Sequence, residues 1–258
     1  MEDWFWGNTP AGFKRVAAQC GRMLVVREEL GDFLVALNLS GGSESPIRAS
    51  RFRGRSSLTS VALADGTAAL VRSYHRGGMV RYLTKDLFCT WPPRPFLELA
   101  VTEHARCRGI STLEVMGACI ERSWGPFYRG WLVTRELTGA RDLWSILREE
   151  SYAGSETKRL LQAVARSIRW MHRQGFYHRD LNLKNVLVRS ESGALRVYII
   201  DFDKARFFCH AISDGKAESN LDRLYRSIRK LDPDQRRVSK EEWDWFRRFY
   251  REAHLHET

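Results

Sequence analysis

Three oxygen-bearing side chains in the second half of the chain could do chemistry together. Asp180 and Asn185 lie five positions apart in His178-Arg179-Asp180-Leu181-Asn182-Leu183-Lys184-Asn185. Asp201 ends the apolar run Arg196-Val197-Tyr198-Ile199-Ile200, 21 positions after Asp180. Together they are two carboxylates and one carboxamide, a hard oxygen set of which one group can accept the proton of an attacking hydroxyl. It suits Mg²⁺, which takes one or two carboxylates and completes its shell with water and phosphate. A base beside such a metal set is the equipment of phosphoryl transfer.

These residues act together only if the flanking elements bring them to one edge. Upstream, 156–174 reads as an amphipathic helix with Leu160, Leu161, Val164, Ile168 and Met171 on one face, stopped by Gly175. Downstream, 185–188 and 196–200 are short β-type runs, so the layout is helix, loop, hairpin and acidic strand end. Helical patterns follow at about 219–231 and 241–253. The first half is strand-rich. It has one or two strands in 22–39, a loop at 40–46, and two strands in 50–74 joined by the Asp65-Gly66 turn. Another strand is expected at 131–137. Pro92, Pro93 and Pro95 punctuate the entry to a helix at about 96–108 that carries Phe96, Leu99, Ala100 and Glu103. The change in character falls near 135–140.

Composition narrows the classes. With 258 residues, 43% hydrophobic and 9 Trp, the chain can bury a core, and global disorder is excluded. The net charge of +11 predicts an anionic partner. No zinc-finger spacing and no RNP-like aromatic motif is present, so charge alone would argue for nucleic acid, which is not the expected partner. Five scattered cysteines without a CxxC pair fit neither a disulfide framework nor a zinc cluster. No signal peptide and no apolar run of about 18 residues is visible, so attachment to a membrane would be peripheral.

His178-Arg179-Asp180 with Asn185, followed by Asp201-Phe202-Asp203, resembles the catalytic loop and metal motif of protein kinases. The order and separation of the two motifs carry the likeness. That resemblance implies an α+β, protein-kinase-like two-lobe fold. It has a small antiparallel-sheet N-lobe over 1–135, with 1–49 poorly assigned, and a mainly helical C-lobe over 136–258 with a short activation segment. A kinase small lobe needs a loop over the phosphates, a cation on the third strand and a helix carboxylate to hold it. The candidates are Gly54, Arg55 and Ser56 for the loop, and Arg72 where the kinase lysine is expected. Glu98 is the natural partner, with Glu103 in reserve. Arg can bind phosphate oxygens and a carboxylate bidentately. Asn182 stands where protein kinases have a phosphate-steering lysine; it joins this nucleotide-site set and is expected to orient Asp180 or the acceptor. His178 is read as a structural histidine packed under the loop.

From about residue 50 to 250 the chain more narrowly resembles the bacterial lipopolysaccharide kinases, and among them the 3-deoxy-D-manno-octulosonic acid (Kdo) kinases. The residues that carry this are Gly54-Arg55-Ser56, Val71-Arg72-Ser73-Tyr74-His75-Arg76-Gly77-Gly78, Phe96-Leu97-Glu98, the two motifs above with Lys204-Ala205-Arg206, and Asn220-Leu221-Asp222-Arg223-Leu224. The resemblance implies ATP- and Mg²⁺-dependent phosphorylation of the 4-hydroxyl of a Kdo sugar. The acceptor would be Kdo-lipid A or a related core precursor, at the cytoplasmic face of the inner membrane. Only 18 residues, none of them proline, separate Asp201 from Asn220, and no Ala-Pro-Glu follows. That leaves little room to bind a peptide and favours a small or lipid-linked acceptor. Lys184, Lys204 and Arg206 are candidates to hold phosphate or a substrate carboxylate, or are solvated charges. Trp243, Trp245, Phe246, Phe249 and Tyr250 read first as core closure of the last helix and second as an interfacial anchor. A kinase of this fold acting on a core heptose or another small molecule, and an inactive basic binding module, remain alternatives.

Overall fold

A computed structural model describes residues 9–18, 21–30, 58–63, 65–74, 87–149 and 154–252. The expected phosphate loop at Gly54, Arg55 and Ser56, the basic stretch from His75 to Lys85, and Trp4, Phe5 and Trp6 lie outside the described residues. The chain divides into two compact units. One takes in Met1–His104 with Leu113–Glu136, the other Ala105–Thr112 with Leu137–Thr258.

The first unit is built on a six-stranded antiparallel sheet. Its strands are β1 (Phe13–Ala18), β2 (Arg22–Arg27), β3 (Leu58–Ala62), β4 (Ala68–Ser73), β5 (Val115–Arg122) and β6 (Tyr128–Arg135). Their spatial order is β1-β2-β5-β6-β4-β3. The Asp65-Gly66 turn joins β3 to β4 as expected. Gly66 takes a φ of 79°, and the Asp65 carboxylate accepts from the Thr67 N–H at 2.9 Å. Alternate residues feed two clusters. Leu24, Val26, Val71 and Val133 pack on one face; Val25, Ala118, Ile120 and Leu132 pack on the other with Leu99 of helix α1 (Arg94–Cys107). Two strands, β1 and β5, are absent from the sequence reading. In β5, Val115–Ile120 is buried throughout, so the strand shows no period-two pattern.

The second unit is mainly helical. Its elements are β7 (Arg141–Asp142), α2 (Leu143–Leu147), α3 (Ser155–Arg173), β8 (Phe176–Tyr177), β9 (Val186–Glu191), β10 (Ala194–Ile199), β11 (Arg206–Phe207), α4 (Asp214–Leu231) and α5 (Lys240–Glu252). The five apolar residues predicted for one face of α3 are all buried. Gly175 ends that helix with φ 83°, and a Cβ there would meet the Phe208 carbonyl oxygen at 2.1 Å. Only glycine admits the β8–β11 pairing at this point. Ser192 and Gly193, both at positive φ, close the β9–β10 hairpin. In α5, Ser239 and Glu242 form a reciprocal capping box, and Trp243, Phe246 and Tyr250 are buried. The aromatic face therefore closes the core, and those three rings are not available to a membrane.

Candidate active site

The loop between β8 and β9 is shaped by its own side chains. Asn182 starts a single 3₁₀ turn, Leu183–Asn185; its Oδ1 accepts from the N–H groups of Lys184 and Asn185 at 2.9 and 3.2 Å. Asn182 Nδ2 and Asn185 Nδ2 both donate to the Asp180 carbonyl, at 2.9 and 2.8 Å. The backbone under Asp180 is thus clamped twice, while its carboxylate is on an exposed residue. Asn182 spends its amide on the backbone of this loop.

Two ties bring Asp201 to the same edge. The Ile200 N–H donates to the Asn185 carbonyl at 3.0 Å, and His178 Nε2 lies 2.9 Å from the Ile200 carbonyl. The Asp180 N–H donates to His178 Nδ1 at 3.2 Å, so Nδ1 is the bare nitrogen and Nε2 carries the proton. One imidazole, buried against Phe202, therefore bridges the base loop to the strand end that carries Asp201. Burial holds the His178 pKa below its ordinary value, against the Ile200 carbonyl and the Asp201 and Asp180 charges, which raise it. The ring is a neutral structural bridge. Asp201 itself takes left-handed angles, φ 68° and ψ 63°, a conformation that aspartate tolerates better than most residues.

Behind His178 stands a buried polar chain that the sequence reading did not single out. Asn220 of α4 is fully buried. Its Oδ1 accepts from the His178 N–H, and its Nδ2 donates to the His178 carbonyl, both at 3.0 Å. His172 Nε2 lies 3.1 Å from the same Oδ1, and His172 Nδ1 lies 2.6 Å from the Tyr250 hydroxyl. Asn220 Oδ1 can only accept, so His172 is protonated on Nε2, and Tyr250 donates to Nδ1. Burial pushes the His172 pKa down to about 4. The last helix, α3, α4 and the base loop are thereby locked into one network.

In the first unit, Arg72 and Glu98 form the predicted pair. The Arg72 guanidinium and the Tyr74 hydroxyl both donate to the Glu98 carboxylate. Arg72 and Tyr74 are two apart along one strand direction and so share a face; the guanidinium sits 5.2 Å from the Tyr74 ring centroid. Glu98 is only 3% exposed, so its charge needs donors, of which Arg72 and Tyr74 are two. Glu103, the reserve partner, is engaged elsewhere: it pairs with Arg27 of β2 at 2.7 Å. Tyr74 is the member of this cluster that residue spacing did not flag.

Among the described residues no group of three or more His, Cys, Asp or Glu is placed to hold a metal. The expected set is smaller, the Asp201 carboxylate with the Asn185 carboxamide. Asn185 spends its Nδ2 on the Asp180 carbonyl, which leaves Oδ1 as its acceptor end. One carboxylate and one amide oxygen fit an oxygen-seeking ion that keeps waters and takes phosphate oxygens.

A loop with the kinase-type His-Arg-Asp and Asn spacing, a strand end carrying Asp201 and an antiparallel sheet with an arginine–glutamate pair fit a protein-kinase-like α+β protein. The family profile described as "Lipopolysaccharide kinase (Kdo/WaaP) family" matches residues 47–250, and the chain belongs to that family. It is 36% identical over 181 residues to a 3-deoxy-D-manno-octulosonic acid kinase of Vibrio vulnificus (strain CMCP6), which covers 69% of this chain and 71% of the relative. A protein of the same name from Pasteurella multocida (strain Pm70) is 30% identical, covering 70% and 73%. Among solved structures, WaaP in complex with acyl carrier protein matches with a TM-score of 0.52 at 18% identity, over 89% of this chain and 98% of that one. That likeness supports the fold.

Proposed function

We propose that this protein transfers the γ-phosphoryl group of ATP to the 4-hydroxyl of a Kdo sugar in the inner core of lipopolysaccharide. The observation that carries the reading is the pair of ties, through His178 and Asn185, that gather Asp180, Asn185 and Asp201 at one edge. The names of the relatives support the choice of acceptor.

In this reading the Asp180 carboxylate accepts the proton of the sugar hydroxyl. The freed oxygen attacks phosphorus, and the bond to ADP breaks. Asn182 and Asn185 hold the loop backbone so that the base does not swing away. Arg72, steadied by Glu98 and Tyr74, binds nucleotide phosphate oxygens. Mg²⁺, held by Asn185 and Asp201, would offset charge on the phosphates. Gly54, Arg55 and Ser56 are assigned to the loop over those phosphates on sequence alone.

The protein is also proposed to work at the cytoplasmic face of the bacterial inner membrane as a peripheral protein. No helix among the described residues is long and apolar enough to cross a membrane. The net charge of +11 favours an anionic surface, where each nearby Lys or Arg contributes about 1 kcal/mol. Among the described residues, Trp91 and Trp124, 68% and 67% exposed in the first unit, are the most exposed large apolar side chains and are suited to an interface.

The test is a purified-protein assay with labelled ATP and Mg²⁺, offering Kdo-lipid A, a heptose-bearing core and buffer alone in parallel. Label should enter Kdo-lipid A only, and Asp180→Ala should lower turnover by roughly 10²–10⁴ with folding intact. Label in the heptose core alone would move the acceptor assignment. Near-normal turnover by Asp180→Ala would remove the base.

A further inference from the structure

Helix α4 carries Ser219, Arg223 and Ser227 at successive i, i+4 positions, which places them on one stripe. Both serines are pinned to the catalytic segment. The Ser219 and Tyr177 hydroxyls are 3.3 Å apart, and Ser227 Oγ accepts from the Leu183 N–H at 3.2 Å. Arg223 lies between these anchors, so it faces the stretch from His178 to Asn182 that contains Asp180. Two more arginines lie on or beside that stretch of backbone. Arg179 precedes Asp180, and Arg206 of β11 is the cross-strand partner of Tyr177, two positions before Arg179.

Arg22, Arg27, Arg72, Arg135, Arg189 and Arg247 each sit within ion-pair distance of a carboxylate. Among the described residues, Arg179, Arg206 and Arg223 pair with no carboxylate; Arg223 bonds the Tyr177 hydroxyl, and its Nε, like those of Arg169 and Arg247, is buried without a hydrogen-bond partner. The Tyr177 hydroxyl registers the field: its pKa is lowered by the Ser219 hydrogen bond first, then by the hydrogen bond and charge of Arg223 and the charge of Arg179. The charges of Arg223 and Arg179 both act at the Tyr177 hydroxyl, and an anion beside them would be attracted by both.

We propose that Arg223, flanked by Arg179 and Arg206, binds the carboxylate of the acceptor sugar acid beside Asp180. A guanidinium grips a carboxylate through two parallel hydrogen bonds, which fixes orientation as well as position. The site would thereby choose a sugar acid over a neutral sugar, using residues of the unit that holds the base. This inference rests on the Kdo reading above.

The full-length protein is assayed with three acceptors: Kdo-lipid A, the same molecule with its sugar carboxyl methylated, and the same molecule with its lipid A phosphates removed. Wild type should discriminate strongly against the methyl ester and little against the dephosphorylated form. Arg223→Gln should raise the acceptor KM roughly ten- to hundredfold, the size of a charge-assisted hydrogen-bond loss. It should leave the ATP KM unchanged and use acid and ester alike, with Arg223→Lys between the two. Should Arg223→Gln fold poorly, Arg206→Gln, on an exposed residue, carries the same expectation in smaller measure. An unchanged acceptor KM in folded variants, or wild type using the ester as well as the acid, overturns the proposal while the Kdo reading stands. Discrimination that follows the lipid A phosphates instead also overturns it. Failure of wild type to phosphorylate any Kdo acceptor overturns both.

Discussion

Replacing Asn220 by alanine is the sharpest test of how the base loop is held. The change deletes three hydrogen bonds, two to the His178 backbone and one to His172, at a residue with no exposure. At about 1 kcal/mol net for each bond, the loss is at least about 3 kcal/mol. If the abandoned His178 N–H, His178 carbonyl and His172 Nε2–H stay dry, each costs about 1–3 kcal/mol, and the total approaches about 9. The low figure corresponds to a fall in midpoint of about 6–12 °C for a protein of this size. Asn220→Asp keeps the acceptor side but sets a buried carboxylate against the His178 carbonyl, so its cost should grow as pH rises and the carboxyl ionises. Thermal unfolding followed by circular dichroism measures both. At a temperature where Asn220→Ala remains folded, its kcat should fall while the ATP KM stays near wild type, because the perturbed backbone belongs to the base loop. A midpoint and kcat indistinguishable from wild type for Asn220→Ala would refute the network.

Arg72→Ala should raise the ATP KM and destabilise the first unit by roughly 1–3 kcal/mol, since the buried Glu98 carboxylate loses the Arg72 guanidinium; nucleotide titration with urea unfolding measures both, and Arg72→Lys should recover part of each. Acid should weaken the fold before the ordinary carboxylates titrate. His172 is about 4 in the folded protein and about 6.5 when unfolded, so the unfolded chain binds more protons in that window. The stabilisation is complete above pH of about 6.5 and is lost as pH falls through about 4. It amounts to about 3 kcal/mol at 1.36 kcal/mol per unit, with His178 adding in the same direction. Urea midpoints should therefore drop between pH 7 and 5; equal midpoints would contradict the neutral-imidazole assignment. On vesicles, binding should require anionic lipid and weaken with salt, and Trp91→Ala with Trp124→Ala should reduce whatever survives high salt. Equal sedimentation with neutral vesicles would contradict electrostatic attachment.

The base loop was legible because its polar residues sit between patterns that physics reads easily: an amphipathic helix ended by Gly175, then a hairpin. Arg72 and Glu98 were legible for a similar reason, one at the end of an apolar strand and the other in a proline-initiated helix. Residues whose meaning depends on distant partners were not. Asn220 stood out only as part of a family-like run, and nothing local pointed to its partner His178, 42 residues away. Glu103 looked available to Arg72 because Arg27, 76 residues upstream, gives no local sign of claiming it. Strand β5 was invisible because burial on both faces erases the alternation that marks a strand. The aromatic run of α5 was legible as core closure, since Trp243, Phe246 and Tyr250 recur at three- and four-residue steps.

The central claim is that Asp180 takes the proton from a Kdo 4-hydroxyl as phosphate transfers. The most direct measurement is structural analysis of the product, by mass spectrometry with phosphorus NMR, after incubating Kdo-lipid A with ATP, Mg²⁺ and either wild type or Asp180→Asn. The account predicts one phosphoryl group on the Kdo 4-oxygen with wild type, and a folded, nucleotide-binding Asp180→Asn that forms almost none. Phosphate on any other position, or comparable product from Asp180→Asn, would contradict it.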